Sequence, residues 1–311
     1  MPPAIAQKLR PQSRFEWPDF TGGGSQEALT MALRCRTTHA RGGAAMSESS
    51  PGGSPSPSGQ HISETTASPE QFDFRRRLTE MFLGAPLSTE DLLFNIGLYA
   101  RSSVLVKFLV MGKLYERIKD IPGVLVEFGT WYGHNLVLME NLRAIYEPFN
   151  KQRKIIGFDT FEGYKGQSRE DKPSEVWRAG SYATGTDYRS YLAELLRVHE
   201  GNNVLGHVRG AHELVAGDVC ETVPRYFSER RHLLVAFAYF DLGLYEPTKA
   251  ALEAVLPHLV PGSVLLFDEL TWPEAPGEAT AFREVFAVAN RPYRIEKDPL
   301  YPSKAIVTIL A

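Results

Sequence analysis

From residue 69 onward the apolar positions follow two periods in turn. Leu92, Leu93, Ile96, Tyr99, Leu105, Phe108, Leu109, Leu114 and Ile118 recur at threes and fours, the stripe of an amphipathic helix. Helices are therefore predicted over Gln71–Phe82 and Thr89–Lys119, and Asp120-Ile121-Pro122-Gly123 stops the second. Beyond Gly123, short apolar runs alternate with helical stripes. Strands are predicted at Val124–Phe128, Lys154–Phe158, near Val204–Arg209, at Leu233–Phe240, Ser263–Phe267, Tyr293–Glu296 and Ala305–Leu310. Helices fall between them at Asn135–Tyr146, Tyr188–His199, Cys220–Glu229, from Pro247 onward and at Glu278–Val288. Pro247 suits a first helical turn, and Ala251, Leu252, Val255 and Leu256 give that helix its buried face. Strict strand–helix alternation implies a parallel sheet covered on both faces. Only about eight residues join the last two strands, too few for a crossover helix, so that pair should be antiparallel.

The first 68 residues lack this patterning. Gly22-Gly23-Gly24-Ser25, Gly42-Gly43 and Ser47–Gly59 are rich in Gly, Ser and Pro, and such a segment cannot bury enough apolar surface to offset chain entropy. Residues 1–68 are expected to be a disordered tail. No apolar core of a secretory signal occurs there. An organellar transit segment and an upstream start codon, with Met46 as the true start, both account for residues 1–45.

Composition narrows the function. The chain has 311 residues, a formal charge of -3 and 43% hydrophobic residues, which argues against nucleic acid and against an anionic membrane as partners. No apolar run is long enough to span a bilayer. Two cysteines, Cys35 and Cys220, leave no disulfide framework and no cysteine zinc site. A cytoplasmic enzyme acting on a small molecule is expected, with a homodimer as the general prior for assembly.

Candidate chemistry clusters at the ends of predicted strands. Glu127-Phe128-Gly129-Thr130-Trp131-Tyr132-Gly133 closes the first. Gly129 permits a sharp turn, and Gly133 permits close approach of a ligand to the helix start. A dinucleotide fingerprint needs glycine where Trp131 stands, whereas a phosphate-free ligand tolerates the tryptophan and Glu127 could pair with an ammonium group. Asp159, after the second strand, can accept both hydrogen bonds of a ribose diol. Asp218 sits where an adenine edge would be read and equally suits a helix N-cap. Asp241 follows the fourth strand, and Asp268 and Glu269 follow the fifth. Three carboxylates at adjacent strand ends suit a hard cation such as Mg²⁺, with an acid–base couple or simple caps as the alternatives.

On these residues the chain from about Thr89 resembles the macrocin O-methyltransferase family of class I S-adenosylmethionine (SAM)-dependent methyltransferases. The matching stretches are VLVEFGTWYGHN, QRKIIGFDTFEGY, GDVCETVP, DLGLYEPTKAALEAVLPHLVPGSVLLFDEL and the PGEA around Gly277. The resemblance implies an α/β, Rossmann-like seven-stranded sheet with an antiparallel last strand, spanning residues 121–311, and a helical N-terminal lid over 69–120. It implies SAM and Mg²⁺ as cofactors and a hydroxyl of a sugar or small natural product as acceptor. By position, Glu127, Gly129, Trp131, Gly133, Asp159 and Asp218 become SAM-binding candidates; Asp241, Asp268 and Glu269 become Mg²⁺ ligands. One departure stands out. The family often carries a second acid two residues after the first, able to serve as general base, and here that position is Gly243. His134 and Glu246 are the candidate substitutes. A SAM-binding relative without catalysis and a nicotinamide oxidoreductase are the competing readings.

Overall fold

A computed structural model of the chain describes residues 68–185, 187–203 and 210–311; the tail expected over 1–68 lies outside them apart from Ser68. Three helices come first: α1 (Pro69–Leu83), α2 (Thr89–Phe94) and α3 (Ser102–Ile118). Ser68 opens α1 with a reciprocal capping box to Gln71. The single helix expected over Thr89–Lys119 is broken. Asn95 turns its side-chain amide back onto the Asp91 carbonyl at 2.8 Å, and a short 3₁₀ turn, Ile96–Tyr99, intervenes. Side chains that bond their own backbone compete with the helical ladder.

Seven strands form one sheet: β1 (Val124–Phe128), β2 (Ile155–Asp159), β3 (His212–Ala216), β4 (Val235–Phe240), β5 (Leu259–Phe267), β6 (Tyr293–Asp298) and β7 (Tyr301–Ile309). Their order is β3-β2-β1-β4-β5-β7-β6. β1 to β5 pair in parallel, whereas β7 runs antiparallel to both β5 and β6. The antiparallel ending is as expected. The third strand is not: it lies at His212–Ala216, and the stretch predicted near Val204–Arg209 falls outside the described residues.

Helices α4 (His134–Tyr146), α5 (Tyr188–Asn202), α6 (Val219–Glu229), α7 (Tyr245–Val255) and α8 (Pro276–Ala289) connect the strands. Alternate strand residues sort into two cores. Val126, Phe128, Phe158, Phe240 and Phe267 pack with α6, α7 and α8. Leu125, Ile155, Tyr239, Leu266 and Ile306 pack with α4, α5 and the C-terminal half of α3. That half of α3 (Val110, Met111, Leu114, Tyr115, Ile118) is buried against the sheet, while Leu105, Phe108 and Leu109 stay exposed. Among the described residues no helix is long and apolar enough to cross a membrane.

The same alternation assigns the polar residues to a face. Glu127 lies between Val126 and Phe128, and Lys304 precedes Ala305, so both belong to the face of Leu125 and Ile306. Strand order reverses between β1 and β4, and open α/β sheets bind ligands at such a crevice.

Candidate active site

The chain leaves β1 through Gly129, at φ +84°. A Cβ there would run into the Asp241 carbonyl, so only glycine lets the ends of β1 and β4 approach this closely. Glu127 is buried, and its Oε1 accepts a 2.7 Å hydrogen bond from Asn135 Nδ2. Glu127 Oε2, Asn135 Oδ1 and Thr130 Oγ1 are buried without a hydrogen-bond partner among the described residues. Orphaned oxygens in one place call for a donor. An ammonium is such a donor, and unpartnered acceptors on Glu127 and Asn135 suit the aminoacyl end of SAM. Burial holds the Glu127 carboxyl well above the ordinary glutamate range, with Asp241 and Asp159 adding to the rise and Asn135 and Lys107 opposing it.

Asp159 fastens two turns. Its Oδ2 accepts the Trp131 amide at 2.8 Å and its Oδ1 the Phe161 amide at 2.6 Å. Trp131 and Phe161 are both in the left-handed region, at φ 46° and 58°, a conformation that costs non-glycine residues about 1–3 kcal/mol each. The Thr130 amide also acts on this carboxylate, which leaves it acceptor capacity for a ribose hydroxyl. Burial raises the Asp159 pKa, and the amides pull it back. The Trp131 ring stands 4.4 Å from Tyr132 and 5.5 Å from Tyr182.

Gly133 and Asp218 both sit at helix starts. A Cβ on Gly133, at φ +73°, would strike the Leu192 side chain of α5, so the glycine serves helix packing. Asp218 caps α6, accepting the Cys220 amide at 2.9 Å.

The three remaining acids meet. One oxygen each of Asp241, Asp268 and Glu269 lies within 4.8 Å of the others. Glu269 is buried with Oε2 unpartnered among the described residues, and burial together with Glu278 and Asp241 pushes its pKa well up. An all-oxygen donor set with an orphaned buried carboxylate oxygen fits a hard divalent cation.

Several members of the site went unnoticed in the sequence. Lys304 of β7 is buried and ion-paired with Asp268 Oδ1, which also accepts the Tyr239 hydroxyl. Burial pulls the Lys304 pKa down to about 7, against Asp241. Glu278, in the first turn of α8, accepts the Glu269 amide at 2.8 Å. Lys107 of α3 interacts with Glu127, Glu269 and Lys304. The one available signal was a charge at the head of an apolar run, as in Lys304-Ala305-Ile306-Val307. A second acidic group, Glu140, Glu200 and His212, is spanned by Arg143 at 2.6 and 3.2 Å and ties α4 and α5 to the β3 edge.

The two base candidates separate. His134 begins α4, its ring 5.5 Å from Phe108, and burial with Lys107 lowers its pKa. A neutral imidazole can accept a proton. Glu246 is exposed on α7 and interacts with Cys220 and Arg169. Position 243 itself faces Trp177, whose Nε1 would be 2.6 Å from a Cβ.

Comparison with known proteins gives the family and the fold. Residues 126–270 match the family model of a methyltransferase domain. The chain is 41% identical to the calicheamicin methyltransferase CalS11, with a TM-score of 0.73, over 82% of this chain and 99% of that one. The apo structure of CalS11, described as a TDP-rhamnose 3'-O-methyltransferase of calicheamicin biosynthesis, gives 40% identity and a TM-score of 0.67 over 78% and 96%. The O-methyltransferase NovP, at 17% identity and a TM-score of 0.53 over 66% and 80%, shares the fold. No curated protein sequence matches the chain.

Proposed function

The chain belongs to the methyltransferase family of the calicheamicin enzyme, and we propose that it is a SAM-dependent, Mg²⁺-assisted O-methyltransferase acting on a sugar hydroxyl. The observation that carries this is the juxtaposition of two sites: orphaned acceptors around Glu127 and a carboxylate cluster at Asp241, Asp268 and Glu269. The 3'-O-methylation of a nucleotide-linked rhamnose by the 41% identical relative supports a sugar, free or on a small natural product, as the acceptor. The nicotinamide alternative falls with the family and with the antiparallel β7.

Each residue has a task within this reading. Glu127 takes the ammonium of the aminoacyl group, and Asn135 orients it. Asp159 holds the glycine turn and offers its free lone pairs to the ribose. Asp218, beyond its cap, borders the adenine. Asp241, Asp268 and Glu269 hold the cation, which when bound lowers the pKa of the acceptor hydroxyl and aligns it. His134 accepts the hydroxyl proton, a role worth about 10²–10⁴ in rate. The exposed N-terminal half of α3, with Lys107 and Phe108, covers the crevice and keeps water out. Alignment of oxygen and methyl supplies much of the remaining rate.

The test is transfer of labelled methyl from SAM to a panel of nucleotide-linked deoxysugars and glycosylated natural products, with Mg²⁺ and with a chelator. Product with Mg²⁺ that is lost with chelator supports the proposal. SAM binding with no product on any acceptor would favour the reading in which Gly243 marks a catalytically silent relative. In the active enzyme, His134→Ala should cut turnover at unchanged SAM affinity.

A further inference from the structure

Lys304 is a buried ammonium with one carboxylate partner. Its side chain is 3% exposed, on a strand whose next residues, Ala305, Ile306 and Val307, are all buried and apolar. Burying an ammonium is costly unless it is paired, and apolar residues of similar length would fill this position without that cost. The pairing is correspondingly tight. Asp268 Oδ1 receives both the Lys304 ion pair and the Tyr239 hydroxyl. The Tyr301 ring lies 4.3 Å from Nζ and the Tyr239 ring 5.8 Å, so aromatic faces add to the stabilisation of the ammonium.

Asp268 is one of three acids whose oxygens converge within 4.8 Å. With Oδ1 occupied, Oδ2 is the oxygen left to serve a ligand. The charge count changes as well. An ammonium paired with Asp268 lowers the net negative charge of the cluster and so weakens its attraction for a divalent ion.

We propose that Lys304 is a built-in counter-cation and positioning residue of the carboxylate cluster, fixing Asp268 through Oδ1 and holding the affinity of the site for a divalent ion below what three free acids would give. This rests on the cation reading of Asp241, Asp268 and Glu269. It assigns a role to a residue of the antiparallel strand, remote in sequence from the acids it serves. Such moderation has a chemical use. A less negative ligand set would leave a bound cation more electrophilic toward the acceptor hydroxyl.

The experiment is titration of the full-length protein with Mn²⁺, followed by electron paramagnetic resonance, in the absence of SAM and acceptor. Lys304→Met keeps length and apolar packing while removing the charge, and it should bind Mn²⁺ about ten- to a hundred-fold more tightly. Tyr239→Phe removes a hydrogen bond to the same oxygen without changing the charge, and it should shift affinity by less than about three-fold. Asp268→Asn should weaken Mn²⁺ binding. Lys304→Gln, which also removes the charge, replaces the methionine variant if that does not fold. Unchanged or weaker Mn²⁺ binding in a folded Lys304 variant, with binding intact in the unmodified protein, would overturn the Lys304 proposal alone. Absence of Mn²⁺ binding in the unmodified protein would overturn the cation reading and this proposal with it.

Discussion

Trp177 stands where a side chain on Gly243 would have to go. Its Nε1 is 2.6 Å from the Cβ position, and Gly243 adopts φ +65°. The absent acid and the indole are therefore one arrangement, in which the loop after β2 closes on the end of β4. Trp177 is buried with Val176, Leu244 and Ala275. Gly243→Asp is expected to gain no activity, because the new carboxylate must displace the indole. The variant should lose about 1–3 kcal/mol of stability. Thermal melting and methyl transfer, measured side by side, decide it; a faster enzyme would mean that Trp177 yields.

Asp159 is expected to matter twice. Asp159→Ala removes the acceptor of two backbone amides and the ribose contact. SAM affinity should fall by about 1.5–3 kcal/mol, accompanied by a lower melting temperature of the ligand-free protein. Calorimetric titration at full folding separates the effects. Unchanged affinity would remove Asp159 from the cofactor site.

Glu127 predicts a pH dependence. Its folded pKa is raised, chiefly by burial. Its contribution to stability is therefore full below the ordinary glutamate pKa and is lost as pH rises through the folded value. The ligand-free protein should melt at lower temperature as pH rises above the ordinary glutamate range. Glu127→Gln should flatten part of that slope while weakening SAM binding, since the amide cannot pair with an ammonium. A variant with the original slope would show that Glu127 is ionised throughout.

Arg153 should be a stability residue with no part in catalysis. Its buried guanidinium donates to the carbonyls of Ile121 at 2.8 Å and Gly123 at 2.6 Å, and to Glu147 Oε2 at 2.8 Å. It thereby fastens the α3–β1 connection to the end of α4. Arg153→Met is expected to cost about 3–5 kcal/mol, read by urea unfolding, with SAM affinity of the folded fraction unchanged.

Local pattern is enough to place six of the seven strands and the acids at their ends. Strands such as Val124–Phe128 and Leu233–Phe240 are short, mainly apolar runs, a local property that survives any arrangement of neighbours. The turn at Gly129 and the acids at strand ends are equally local. Edge and long-range features were not. β3, His212–Ala216, has His212, Glu213 and Leu214 only partly buried, so it lacks the apolar run that marks a strand. The helix break at Asn95 interrupts apolar spacing that continues beyond it, because a side chain bonding its own backbone leaves no trace in the period. Glu246 reads as a neighbour of Asp241, yet it projects from an exposed turn of α7. Lys304 meets Asp268 only because β7 inserts antiparallel beside β5, with Ala305 opposite Phe267. Trp177 meets Gly243 only because a long loop folds back over β4. Strand order and loop path are set by the packing of the whole sheet, and the partners they bring together are decided there.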